Sequence, residues 1–203
     1  MKLEMGLDPA VEAACLGGRE LSRSMLKGLS SHMLFLIAAL IVNNNHRPKL
    51  QYSPVYQVLQ EPAAQRWSPD EVYQLLCFAV ERHEDDAIRQ LIKHPKCAEI
   101  APDDLGELLL LEAQDEKAEA ILLYEDIVRS RASLESLQQL AGVYHVELCD
   151  KEFGCCCCDV FKELIVRKEA KQLPLEEKQQ LLRLADRHWI RNDVRAWFAA
   201  DSS

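Results

Sequence analysis

Ser68-Pro-Asp-Glu-Val-Tyr-Gln-Leu-Leu-Cys-Phe-Ala79 decides the fold of this 203-residue chain, because versions of it return further along. Pro69 suits the first turn of a helix, where its missing N–H costs nothing. Asp70 and Glu71 then stand at the positive end of the helix dipole. Leu75, Leu76 and Ala79 recur at the spacing that fills one helical face, and the polar run Glu81-Arg-His-Glu-Asp85 breaks the pattern. A second short helix follows, with Ala87, Ile88, Leu91 and Ile92 directed inward. The unit is a helix, a turn and an antiparallel helix. Neither helix much exceeds about ten residues, below the length at which an isolated helix is stable in water. Neighbouring units must therefore bury each other's faces.

Laying the chain over itself gives the copies. A shift of 33 sets Ala101-Pro-Asp-Asp-Leu-Gly-Glu-Leu-Leu109 on Ser68 to Leu76, keeping Pro, Asp and both leucines. The same shift carries Ala87-Ile88 onto Ala120-Ile121. A shift of 106 sets Glu177 to Phe198 on Glu71 to Ile92 without a gap, pairing Leu75 with Leu181, Leu76 with Leu182 and Ala79 with Ala185. A weaker copy begins at Ser133, and its second half, Asp159 to Ile165, matches Asp86 to Ile92. The first halves of these units are spaced evenly, but that second half arrives late, which leaves 8 extra residues in the third unit, between about Tyr144 and Asp159. Periods of this size mark stacked supersecondary units.

The run Ala79-Val-Glu-Arg-His-Glu-Asp-Asp-Ala-Ile-Arg-Gln-Leu-Ile92 resembles the ankyrin repeat, in which a Gly-His turn joins two helices. His83 takes the His position and Arg82 replaces the Gly. His94-Pro-Lys-Cys-Ala-Glu-Ile-Ala-Pro-Asp-Asp-Leu-Gly106 is similar to the divergent ankyrin-type repeats of chlamydia-like and other intracellular bacteria. The Thr-Pro-Leu-His opening of regular ankyrin units is absent, and another helix-pair solenoid, such as the tetratricopeptide class, fits the same period. The resemblance implies an all-α solenoid over 68–203, built of about four helix pairs at roughly 68–100, 101–132, 133–173 and 174–203. It further implies a protein-interaction module, in the manner of a secreted effector that binds a host protein in the host cytosol. Outward residues of the first helices are the candidate partner contacts: Glu71, Tyr73, Glu107, Gln138 and Tyr144.

Ahead of the repeats lie an N-terminal helical segment, 1–45, and a proline-containing linker, 46–67. Asp8-Pro-Ala-Val-Glu12 reads as a capped helix start running to Cys15 or Leu16, where Gly17-Gly18 breaks it. A longer helix is expected from Arg19 to Val42, ending in the apolar run Met33 to Val42. That run is about half the length a membrane span needs and reads as a buried core helix. In the linker, Tyr52, Val55, Tyr56, Val58 and Leu59 are apolar enough to dock on the first repeat.

With 24 basic and 33 acidic residues the chain carries a net charge of −9, which disfavours binding to nucleic acid. Hairpin signals for a sheet are missing. Neither a Gly-rich phosphate loop, a Gly-x-Ser-x-Gly elbow nor a His-Glu-x-x-His pair occurs, so no catalytic residue and no cofactor are expected. The string Cys155, Cys156, Cys157 and Cys158, with Cys149 upstream, admits three readings. It is a loop-to-helix entry of small apolar residues, an acylation site that would tether the chain to a membrane, or, with His145, a metal site of poor spacing. A thiol enzyme built from Cys149 or Cys155 with His145 is the rival function. Eight cysteines without a disulfide framework suit a reducing, cytoplasmic compartment.

Overall fold

The computed structural model describes residues 8–16, 21–43, 54–113, 126–143, 156–186 and 191–200. Every regular element among them is helical, and no strand occurs among the described residues. The chain divides into two compact units, Met1–Ile100 and Ala101–Ser203.

In the first unit, α1 (Pro9–Leu16) starts where Asp8 accepts the Ala10 N–H at 2.7 Å. The helix read from sequence as continuous from Arg19 is instead interrupted. A short α2 (Arg23–Leu26) ends in a turn at Gly28, whose φ of 83° is left-handed. Ser30 then accepts the Met33 N–H at 3.2 Å and starts α3 (Ser31–Asn43) afresh. The apolar spacing of Leu21 to Leu40 runs through this break, but the backbone follows Gly28 and the Ser30 cap. Leu34, Ile37, Ala38, Ile41 and Val42 of α3 are buried. No helix among the described residues is long and apolar enough to cross a membrane.

Within the stretch read as a linker, α4 (Pro54–Leu59) buries Val55, Val58 and Leu59 and packs on α3 and on α6 (Asp85–Leu91). Tyr56 stays 46% exposed, and Tyr52 lies outside the described residues. α5 (Pro69–Glu81) opens with a capping box. Ser68 Oγ accepts the Glu71 N–H at 3.1 Å, and the Glu71 carboxylate accepts the Ser68 N–H at 2.8 Å. Its far end is a Schellman closure. The His83 N–H reaches the Val80 carbonyl at 3.1 Å, the Glu84 N–H reaches the Ala79 carbonyl at 2.9 Å, and His83 sits at φ 54°. α6 then packs back on α5 with Ala87, Ile88 and Leu91 buried, the helix–turn–helix read from sequence.

The second unit holds α7 (Pro102–Ala113), α8 (Asp126–Arg129), α9 (Leu134–Val143), α10 (Cys156–Val166), α11 (Leu175–Ala185) and α12 (Arg191–Ala200). Here too a helix pairs with the one that follows it, α9 with α10 and α11 with α12. Helix starts keep the internal spacing read from the sequence. Pro69, Pro102 and Leu134 open α5, α7 and α9 at nearly equal intervals, and the shift that sets Leu175 on Pro69 also sets Arg191 on Asp85, so α11 and α12 repeat α5 and α6. The buried positions repeat with them, Leu75, Leu108, Leu140 and Leu181 all standing six residues after a helix start.

A feature absent from the sequence reading accompanies three of these starts. A 3-10 turn ends three residues before α5, α7 and α11, at Arg66, Glu99 and Gln172. Each turn buries a small residue five positions ahead of its helix, Ala64, Cys97 and Ala170. The repeating unit is therefore longer at its N-terminal side than the hydrophobic pattern indicates, because a 3-10 turn this short leaves only one apolar mark in the chain.

Candidate interaction surface

In the second unit the first turns of α7 and α9 meet side by side, and the start of α11 joins α9 through one bond. The Ser133 N–H, at the start of α9, donates to the Pro102 carbonyl at the start of α7 at 3.0 Å. One turn further, Gly106 admits Ser136 so closely that a Cβ built on the glycine would lie 2.3 Å from the Ser136 Cβ. Ser133 and Ser136 join their hydroxyls at 2.8 Å inside this contact. α7 and α9 thus run side by side in the same direction. Gln138 of α9 donates to Glu177 of α11 at 3.0 Å, bringing a third helix start into the row. Glu107, Glu135, Gln139, Glu176 and Gln180 stand exposed on these helices.

The candidate contacts have separate fates. Glu71 and Tyr73 belong to the first unit, and Glu107 and Gln138 to the second. Glu71 is engaged in the capping box, so its carboxylate holds the helix start. Tyr73 is half-buried on α5, Glu107 is exposed, and Gln138 is half-buried by its bond to Glu177. Tyr144 lies outside the described residues. Of the candidates for acylation or metal binding, Cys156, Cys157 and Cys158 form the first turn of α10, helical backbone where a loop leading into the helix was expected. Their helix begins earlier than the repeat pattern indicates, because that pattern is carried by Asp159 to Ile165 and leaves the cysteines ahead of it unassigned. Cys149, Cys155 and His145 lie outside the described residues. Among the described residues no group of three or more His, Cys, Asp or Glu side chains is placed to hold a metal ion.

Two braces that the sequence reading missed hold helix ends, one ahead of α5 and one after α8. Trp67 is fully buried two residues ahead of α5, and its indole N–H donates to the Ser31 carbonyl at 3.0 Å. Its ring meets Phe35 edge-on at 6.3 Å and stacks on His94 at 5.6 Å. The His94 Nδ1 accepts the Lys96 N–H at 3.2 Å, and Nε2 lies 3.2 Å from the Ala64 carbonyl. Both bonds form together only when His94 is neutral with its proton on Nε2. Burial pushes the His94 pKa below the ordinary 6.5; the Ala64 carbonyl works against that shift and the Lys96 charge adds to it. In the second unit, Arg167 fans its guanidinium over three carbonyls, Ala132 at 2.6 Å, Ser130 at 2.9 Å and Arg129 at 3.0 Å. Its Nε binds Glu163 at 3.2 Å. These carbonyls close α8, and an arginine fork satisfies them as a cap from outside the helix.

The described residues define an all-helical protein of recurring helix pairs. Comparison with models of protein families, with curated proteins and with solved structures gives no match to this chain.

Proposed function

We propose that the chain is a protein-interaction module whose recurring helix pairs form an ankyrin-like solenoid, presenting the exposed faces of their first helices to a protein partner. The observation that carries this reading is the row of adjoining helix starts in the second unit, tied by Ser133 to Pro102, Gly106 to Ser136 and Gln138 to Glu177. Helices set side by side in one direction offer successive outward side chains along a continuous surface, the arrangement by which repeat proteins recognise partners. Glu107 is exposed on α7, and Tyr73 is the half-buried candidate contact on α5. A net charge of −9 favours a partner with a basic face. The resemblance of the stretch from His94 to Gly106 to repeats of intracellular bacteria extends the proposal to a secreted effector acting on a host protein.

The test is affinity capture with the full chain from a human and a bacterial lysate, in parallel with the Tyr73→Ala/Glu107→Ala variant. The full chain is needed because α3, α4 and Trp67 pack with α5 and α6 and are lost from a fragment starting at residue 68. One human protein held by the wild type and released by the variant supports the host-directed reading. Equal capture by both removes the proposed surface.

A further inference from the structure

A cavity of about 540 Å³ opens in the first unit between Leu21–Leu26 and α4. Its volume falls within the range of small-molecule sites. Leu21, Leu26 and Tyr56 supply apolar walls, while Gln60, Glu61 and Arg23 supply polar groups. Leu21 and Leu26 are buried at 2% and 1% exposure, so the walls are built into the core. The mouth lies at Arg23 and Tyr56, both exposed.

Glu61 gives the cavity its chemistry. The residue is buried, its side chain only 10% exposed, and the ion-pair partner it finds among the described residues is Arg23, whose Nε stands 3.8 Å away. That distance is too long for a hydrogen bond, and the Arg23 side chain is 86% exposed. A carboxylate can accept about four hydrogen bonds, and Glu61 lines the cavity with that capacity. The backbone holds Glu61 in place from both sides: its N–H donates to the Val58 carbonyl at 3.1 Å, and its carbonyl accepts the Ala64 N–H at 2.9 Å. A fixed, sheltered acid under a loosely attached and solvated arginine is a cation site with a displaceable occupant.

We infer that this cavity binds an organic cation, a guanidinium or primary ammonium on a short aliphatic stem, whose charged head takes the place of Arg23 at Glu61. The stem lies along Leu21, Leu26 and the Tyr56 ring, which adds cation–π attraction for a head passing over it. A guanidinium fits better than an ammonium, because its planar fork can give the carboxylate two parallel bonds. Two sources carry this chemistry, a free alkyl amine or guanidine and the side chain of an arginine in a peptide.

The experiment titrates the full chain with n-butylguanidinium, n-butylammonium and neutral n-butylurea at low salt, following the methyl resonances of Leu21 and Leu26. A saturable shift by n-butylguanidinium is expected, with a dissociation constant on the order of 1 mM for so small a probe. n-Butylammonium should bind more weakly and n-butylurea should not bind. Glu61→Gln should weaken n-butylguanidinium binding about tenfold or more, the loss of a charge-assisted pair. Arg23→Gln should tighten it by about threefold, because the competing internal cation is gone. A purely structural Glu61–Arg23 tie predicts no such gain, and Arg23 is exposed enough for its replacement to leave the fold intact. Blocked Gly-Arg-Gly separates the sources: tighter binding than n-butylguanidinium assigns a peptide arginine, and weaker binding assigns a free cation. No saturable shift by any cation, an equal shift by n-butylurea, or unchanged affinity in Arg23→Gln overturns the site.

Discussion

The helix that starts at Pro69 is braced by two stacked rings, whereas its counterpart in the next repeat, starting at Pro102, is braced by the lack of a side chain. Both begin from the same Pro-Asp pattern. At the fifth helical position, however, α5 carries a half-buried Tyr73 and α7 carries Gly106, whose bareness lets Ser136 of α9 approach. In the first unit, the space beside the helix start is filled by Trp67, His94 and Phe35. In the second, a neighbouring helix fills it. A repeated helix start thus fixes where the backbone begins, while the residues around it decide whether aromatic side chains or another helix complete the packing.

Trp67→Ala gives the sharpest break in that comparison. It removes a fully buried ring and its bond to Ser31, and should cost about 4 kcal/mol. Denaturant unfolding followed by circular dichroism checks it; a loss under about 1 kcal/mol would show that the rings are not the brace.

Gly106→Ala should cost about 2 kcal/mol by forcing α7 and α9 apart. Ser136→Gly in the same chain should return much of the loss, since it removes the Cβ that the new methyl meets. Additive effects of the two changes would refute the close approach.

His94 makes the first unit sensitive to pH. The folded chain keeps His94 neutral to a pH below 6.5, while the unfolded chain takes up its proton near 6.5. The unfolded state therefore binds more protons in that window. The contribution is full above pH 6.5, is lost as pH falls from there towards the folded value, and is level below it. Thermal midpoints of wild type and His94→Gln should accordingly draw together between pH 7.5 and pH 5.5. A constant gap would place the proton elsewhere.

His83→Gly is the gentlest change. The left-handed turn at φ 54° is one that glycine adopts freely, so the variant should gain about 0.5 kcal/mol and a slightly higher thermal midpoint. A loss would mean that the His83 side chain contributes more than the strain it imposes.

Local signals were legible in the chain. Pro69, Pro102, the Asp8 start of α1 and the inward Leu75, Leu76 and Ala79 act within a few residues, and each appears where the spacing places it. The break at Gly28 was marked by Gly28-Leu-Ser-Ser31 but outvoted by a longer apolar period. Glu112, whose charge alone would place it in solvent, is buried at 3% exposure in the place where the other units carry Ala79 and Ala185. Its position in the repeat, rather than its charge, was the better guide. Trp67 meets His94, and Arg167 meets the carbonyls of Arg129, Ser130 and Ala132, across long stretches of chain, and no periodicity encodes such a meeting. The proposed interaction surface was legible only as a set of helix faces, because Glu71 looks the same in sequence whether it caps its own helix or faces a partner.

Arg167 has a consequence for chain length. By fastening the end of α10 to the carbonyls of Arg129, Ser130 and Ala132, it closes a loop of chain that begins before α9 and returns after α10. Once such ends are clasped, lengthening the chain between them costs only the slow logarithm of its length. The stretch between about Tyr144 and Asp159, where the repeat spacing leaves 8 additional residues, falls inside that clasped loop, so its length can differ from that of the other repeats at small cost.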